Sequence, residues 1–330
     1  RRDCIGSSTL PPDGACHAMS ARDLAFALLV ILLWGLNFVV IKVGLDSLPP
    51  MLLGATRFTL AAIPAIFFIR RPQVPLRWLV AYGLTISFGQ FAFLFSAMDN
   101  GMPAGLASLV LQSQAFFTLL LAALLLSEKV RAHNLIGLLV AATGLLFIGL
   151  HSGASMTTTG LLLTLCAALM WACGNIITKR VGQVDLTALV VWGSLVPPLP
   201  FLAMSLWLEG PARITDALAN ISGAALFALA YLAFGATLLG YSLWSRLLSR
   251  YPAGQIAPFS MLVPVIGLSS AAVLLDEELS QLQLIGTILI MGGLTINVFG
   301  AQLGRRRQQA ASTPVADSSQ PMMRNASVRD

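Results

Sequence analysis

Residues 103–128 read PAGLASLVLQSQAFFTLLLAALLLSE, and residues 252–277 read PAGQIAPFSMLVPVIGLSSAAVLLDE. The stretches lie 149 residues apart, and that ungapped offset superimposes Pro103-Ala104-Gly105 on Pro252-Ala253-Gly254, Ala122-Ala123 on Ala271-Ala272 and Leu125-Leu126 on Leu274-Leu275. It also carries Glu128 to Glu277, Leu135-Ile136-Gly137 to Leu284-Ile285-Gly286 and Gly144 to Gly293. Leu and Ala coincide by chance in apolar helices, but Pro, Gly and Glu do not hold one register by chance. The chain is therefore an internal duplication. Nearer the N-terminus, Trp34 precedes Lys42 by eight residues and Trp171 precedes Lys179 by eight.

Each stretch is uncharged up to its closing acids and long enough to cross a bilayer, which takes about 17–25 mostly apolar residues. The rest of the chain agrees. It is 57% hydrophobic and 10% charged, with a mean hydropathy of +0.81, whereas soluble domains carry about 25% charged residues. Apolar runs at 24–44, 51–69, 78–98, 104–126, 134–150, 160–178, 186–208, 222–244, 254–275 and 282–301 predict an all-α integral membrane protein of about ten transmembrane helices. Each repeat, 24–150 and 160–301, then holds five spans, and an odd number sets the two halves in inverted orientations.

Charge orients the spans. The net charge of +6 comes from basic residues scattered singly between apolar runs, which fits a positive-inside bias and no nucleic-acid partner. With both termini cytoplasmic in a bacterial inner membrane, the inside holds Arg22, Arg70, Arg71, Arg77, Lys129, Arg131, Lys179, Arg180, Arg246, Arg250 and Arg305-Arg306-Arg307. The outside then holds Arg213 among Asp46, Asp99, Glu209, Asp216, Asp276, Glu277 and Glu278.

The ends are read as lying outside the fold. Residues 1–18 hold no methionine and precede a conventional start at Met19, as an upstream extension would. The first apolar run continues for a full span, unlike a cleavable signal peptide. The Ser/Pro/Gln-rich tail 302–330 is expected to be a disordered cytoplasmic segment. Cys4 and Cys16 fall in the extension, and Cys166 and Cys173, seven apart on one helix, cannot bridge each other. No Cys-x-x-Cys pair or His-Cys cluster suggests a metal or cofactor, and none is expected. The acidic cluster Asp276-Glu277-Glu278 has no His nearby, which argues against a polytopic membrane enzyme. No ring-forming or ligand-domain feature suggests a channel or receptor.

Inverted repeats are how many secondary transporters obtain two related conformations from one sequence, with the substrate near the midplane. Trp34-Gly35-Leu36-Asn37, Arg57-Phe58 and the helix-ending Glu128 and Glu277 resemble the EamA-type branch of the drug/metabolite transporter superfamily. Longer strings narrow the likeness to bacterial exporters of cysteine-pathway metabolites. They are Tyr82-Gly83-Leu84-Thr85-Ile86-Ser87-Phe88, residues 101–112, Trp171-Ala172-Cys173-Gly174-Asn175-Ile176 and Ile296-Asn297-Val298-Phe299-Gly300. What the resemblance implies is export of cysteine, O-acetylserine or related amino-acid metabolites by alternating access. A drug/metabolite carrier for a sugar, an amine or a drug is the alternative. The expected partners are that metabolite and the lipid bilayer, and a homodimer is left open.

Polar groups within spans are the candidate site, because each needs a partner, a cavity or a ligand. Trp34 and Asn37 share one face of the first helix, and Trp171 and Asn175 share one face of the sixth. They would present an indole and an amide from each half to one central cavity. Asn can donate to a carboxylate and accept from an ammonium, or it can simply bond a neighbouring helix. Gln112 and Gln114 point about 200° apart on a regular helix, so one should face a cavity and the other a neighbour. Gln90 has the same two options. Pro258 and Pro264 break the ninth span around Ser260, as a helix lining a cavity would or as a packing kink would.

Four charged residues are read as gating or structural. Lys42 and Arg57 could each hold a carboxylate substrate, but Lys42 near a helix end suits snorkelling and Arg57 suits a structural ion pair or gate. Glu128 and Glu277 suit capping of the following helices. No carboxylate falls mid-span, so the carrier is expected to run on a metabolite gradient and not on proton relay.

Overall fold

The computed structural model describes residues 19–150 and 156–312; the expected N-terminal extension, Gly153 and residues 313–330 lie outside the described residues. The described residues form helices and no strand. In chain order these are α1 (Ala21–Leu45), α2 (Pro50–Ile66), α3 (Leu76–Tyr82), α4 (Gln90–Asp99), α5 (Ala104–Val110), α6 (Gln114–Leu126), α7 (Ala132–Leu150) and α8 (Thr158–Val181). They continue as α9 (Leu186–Gly193), α10 (Pro198–Met204), α11 (Gly210–Ala219), α12 (Gly223–Ala230), α13 (Gly240–Arg250), α14 (Ala253–Ser260), α15 (Val263–Leu274) and α16 (Gln281–Ser312). Eight helical stretches are long and apolar enough to cross a membrane, and Pro50–Ile66 and Pro258–Leu274 are shorter apolar helices. Those are the ten runs expected.

The interruptions within spans follow the duplication. A π-helical segment, Gly83–Gly89, joins α3 to α4, and another, Tyr231–Leu239, joins α12 to α13. The 149-residue offset carries the first onto 232–238. A 3₁₀ turn, Leu111–Ser113, divides α5 from α6, and the same offset carries it onto 260–262, where α14 gives way to α15. Pro264 explains the second break, because it has no N–H for the carbonyl of Ser260 four residues earlier. Irregular backbone at matching places in both halves marks transporter binding sites.

Two departures from the sequence reading stand out. The seventh span is not one helix. It ends as α9 at Gly193, restarts as α10 and passes through a π-helical segment, Ser205–Glu209. Pro197-Pro198-Leu199-Pro200 accounts for the break, since proline cannot continue the backbone bonding. An unforeseen amphipathic helix, α11, follows, with Ile214 as its buried residue. Its insertion raises the repeat offset from 137 at Trp34/Trp171 to 149 at Pro103/Pro252. The second departure is α16, which runs on as helix through 302–312, where disorder was expected.

The described chain divides into two compact units, one of residues up to 121 with 152–278, the other of 122–151 with the residues from 279 onward. In the second unit α7 and α16 pack backbone to backbone. A Cβ at Gly137 would meet the Gly293 carbonyl at 2.7 Å, and one at Gly144 would meet the Gly286 carbonyl at 2.6 Å. Such small-residue contacts replace the hydrophobic effect, which does not drive helices together in lipid. Asn134 Nδ2 donates to Asn297 Oδ1 at 2.6 Å in the same seam.

In the first unit, helix ends are tied by carboxylates. Glu277 Oε1 and Oε2 accept from the Ala104 and Gly105 N–H groups at 2.7 and 2.9 Å. Glu209 accepts from the Met51 and Leu52 N–H groups at 2.6 and 3.2 Å. Both anions satisfy unpaired N–H groups at a helix N-terminus, where the helix dipole also favours them. Glu277 thus caps a helix remote in sequence and not the one that follows it. The turn that aims it starts from Asp276 at φ 52°, and Ser127 repeats this before Glu128 at φ 56°.

The cap yields a stability prediction. Glu277→Ala removes two charge-assisted bonds and should lower the thermal unfolding midpoint in detergent, at about 2 kcal/mol. Glu278→Ala, one residue along and exposed, should leave the midpoint unchanged. Equal midpoints for the two variants would refute the capping role.

Candidate substrate cavity

The first unit encloses a cavity of about 340 Å³. Its wall brings together Trp34, Asn37, Gln90, Gln112, Gln114, Trp171, Asn175 and Ser260, and Arg57 joins them. Lys42 sits in the last turn of α1, and neither it nor Glu277 lines the cavity. Glu128 belongs to the second unit.

The cavity wall extends further towards one end of the helices than towards the other. Its wall reaches Thr178 and Leu186 at the α8–α9 turn, with Tyr82 and Trp244 at similar depth. Towards the opposite end it stops at Phe38, Leu94 and Ser108. Beyond them lie the Glu209 and Glu277 caps, a 2.8 Å bond between the Ser47 and Ser222 hydroxyls, and the Thr157 hydroxyl donating to the Asn100 carbonyl. At the end where the cavity reaches the α8–α9 turn, buried Asp23 accepts from the Tyr251 hydroxyl at 2.9 Å and from Arg250 at 3.3 Å.

Each polar side chain is held differently. The Trp34 indole N–H donates to the Ala236 carbonyl at 3.0 Å, inside the second π-helical segment. Its ring lies 5.1 Å from Tyr241 and 5.3 Å from Trp244. Trp171 packs against a cluster that includes Leu79, Tyr82, Ile86 and Leu189. Asn175 Nδ2 donates to Gln114 Oε1 at 2.8 Å and to Thr118 Oγ1 at 3.1 Å. Gln112 Nε2 donates to the Ser260 carbonyl at 3.4 Å, the carbonyl that Pro264 cannot serve.

Gln112 and Gln114 therefore both line the cavity, contrary to the opposed directions expected from a regular helix. The 3₁₀ turn between α5 and α6 is the reason, because it changes the angle between them. Gln114 meets both expectations at once, as a cavity wall and as a tie between helices.

Arg57 corrects the sequence reading most. It is 3% exposed, and no carboxylate pairs with it among the described residues. Its Nη2 donates to Thr237 Oγ1 at 3.2 Å, while Nε and Nη1 are buried with no partner. The guanidinium lies over the Phe91 ring at 4.1 Å and the Phe58 ring at 5.3 Å, a cation–π seat that fixes its plane. Asn37, 8% exposed, has its Oδ1 buried and unpartnered. Among the described residues, no Asp, Glu, Lys or His lines the cavity, so Arg57 supplies its formal charge.

The sequence reading missed Tyr82, Phe91, Thr237, Tyr241 and Trp244. Tyr241 and Trp244, three apart on one face of α13, carried a legible signal. Phe91 and Thr237 did not, since they reach Arg57 only through packing.

A helical bundle duplicated in sequence, with matched breaks around a cavity lined by several polar side chains, is the architecture of a membrane transporter. The EamA-like transporter family model matches residues 22–150 and again 158–299, and the chain belongs to that family. A relative from Salmonella typhimurium, named "Probable amino-acid metabolite efflux pump", is 54% identical over 293 residues, covering 87% of this chain and 98% of its own. The Escherichia coli protein of the same name is 52% identical, covering 86% and 96%. A "Probable terminal-alkyne amino-acid exporter" from Streptantibioticus cattleyicolor is 28% identical, covering 87% and 95%. A crystal structure at 21% identity superimposes with a TM-score of 0.59 over 87% of this chain and 98% of its own, which supports the fold.

Trp34 gives the local test. A Cβ at Gly240 would stand 2.6 Å from its Nε1, and the ring, bonded and stacked, has nowhere to go. Gly240→Val should cut transport by reconstituted protein at least tenfold. Gly292→Val, at a site with nothing within 4 Å, should leave it unchanged. Full activity in the Gly240 variant would show that the indole's position is dispensable.

Proposed function

We propose that the chain exports small amino-acid metabolites, cysteine and O-acetylserine in particular, from the cytoplasm across a bacterial inner membrane by alternating access. The cavity carries this reading. Its volume lies at the low end of the ~300–1,000 Å³ usual for small-molecule sites. Its wall combines amides, indoles and a cation, which suits a small zwitterion better than a bulky apolar drug. The efflux-pump names of the relatives at 52–54% identity support the same direction. Trp34, Asn37, Gln90, Gln112, Gln114, Trp171, Asn175 and Ser260 are the proposed substrate contacts.

Both termini are proposed to be cytoplasmic. The cavity then reaches towards the cytoplasm, and the Glu209 and Glu277 caps lie on the outer side of it. Reporter fusions after Arg180 should read cytoplasmic and fusions after Asn220 periplasmic. Reversal at either position would overturn the orientation.

Among the described residues no carboxylate lines the cavity to relay a proton, and a zwitterion carries no net charge for the membrane potential to drive. Free energy should therefore come from the metabolite gradient or from exchange. Proteoliposomes preloaded with unlabelled O-acetylserine should show counterflow of labelled substrate, undiminished by an uncoupler. Uphill efflux that requires an imposed proton gradient would refute that energetics, and absence of counterflow would refute the carrier.

A further inference from the structure

We propose that Arg57 and Asn37 form the two poles of a subsite for α-amino acids, Arg57 taking the α-carboxylate and Asn37 the α-ammonium; this rests on the exporter reading above. The observation is a pair of unmet hydrogen-bonding groups of opposite sense in one cavity wall. Arg57 offers two buried N–H donors, Nε and Nη1, with no acceptor, and Asn37 offers a buried acceptor, Oδ1, with no donor.

Buried polar atoms are nearly always bonded, and an exception calls for a cause. A guanidinium is the costliest exception, because it stays ionised even when buried and removing it from water costs several kcal/mol unless an anion compensates. In most buried sites a carboxylate side chain provides that anion. Among the described residues none reaches Arg57, and the cavity wall contains no Asp or Glu. Thr237 Oγ1 occupies Nη2 and itself donates to the Leu232 carbonyl at 2.8 Å. It holds the fork in place without neutralising it. The Phe91 face fixes the plane of the guanidinium. Nη1 and the second N–H of Nη2 form the end of the fork, the edge at which a carboxylate can accept two parallel bonds.

Asn37 Oδ1 is a neutral acceptor, and that choice is informative. An amide accepts from an ammonium without adding a carboxylate that would compete for the guanidinium. Trp34, one turn before Asn37 on α1, and Tyr241 add π-faces suited to the ammonium. A ligand with both poles satisfies both orphans, and a ligand with one pole leaves the other buried and unpaired. Discrimination should therefore be steep, as it is wherever a site's polar groups would be left unmet.

The test removes one pole at a time. Intrinsic tryptophan fluorescence of detergent-purified protein is titrated with cysteine, with cysteamine, which lacks the carboxylate, and with 3-mercaptopropionate, which lacks the ammonium. Parent protein should bind cysteine at least tenfold more tightly than either analogue. Arg57→Met should lose the preference over cysteamine but keep that over 3-mercaptopropionate, Asn37→Leu should do the reverse, and Arg57→Lys should keep a reduced carboxylate preference. Parent protein that binds cysteamine as tightly as cysteine overturns the assignment without any variant, so misfolding of Arg57→Met cannot protect it. Unchanged preferences in variants with parental unfolding midpoints also overturn it while leaving the exporter reading intact. If the parent binds no amino acid tested, the exporter reading falls first and this subsite with it.

Discussion

Inside a bilayer an unpaired backbone carbonyl or N–H has no water to bond, and each costs several kcal/mol. The irregular stretches of this protein are organised around that cost. Regular helix satisfies its own backbone, so lipid-facing surfaces can be built from Leu, Phe and Ile alone. Where the helix is broken, something else must bond the released groups. Gln112 serves the carbonyl that Pro264 abandons. Trp34 donates to Ala236 within a π-helical turn, and Thr237 bonds Leu232 in the i−5 register of the same turn. These are the residues that build the cavity, so satisfying broken backbone and making a binding site are one structural act.

The duplication halves the number of solutions needed. Matching π-helical interruptions fall in both repeats, the 3₁₀ turn of the first is matched by the break between α14 and α15 in the second, and a left-handed residue precedes both Glu128 and Glu277. Symmetry is not complete, and the cavity's chemistry comes from the departures. Arg57 has no basic counterpart in the second repeat, where Ser194 stands at the matching place and bonds Val190. Asn37 follows Trp34 by three residues and Asn175 follows Trp171 by four, and their bonding differs too: Asn175 is bonded to Gln114 and Thr118 while the Asn37 carbonyl is unpartnered. A twofold scaffold therefore carries a cavity with one charged side, which suits a ligand that has two unlike ends.

Much of the site was readable because polar residues in apolar spans are few and costly. Trp34, Asn37, Gln90, Trp171 and Asn175 could be chosen on type and helical spacing alone. Tyr241 and Trp244 were readable in the same way and were overlooked. For Arg57 the sequence offered an ion pair or a gate, and it cannot show that among the described residues no acid packs beside the guanidinium. For Gln112 and Gln114 the opposed directions inferred from 100° per residue did not hold across a 3₁₀ turn, although the helix-to-helix tie expected of one of them is there in Gln114. Glu277 was assigned to its neighbour in sequence, whereas its partners lie on a helix more than 170 residues away.

The sequence by itself determined the class, the ten spans, the duplication and the cavity's main polar residues. Each of these follows from hydropathy, residue counts and a repeated register, all local or one-dimensional properties. Tertiary structure decided the orientation of the two glutamines, the division of the seventh span, the partner of Glu277 and the solitary charge of Arg57. Those depend on which atoms meet across helices, and a buried group's role is set by its neighbours, including the ones it lacks.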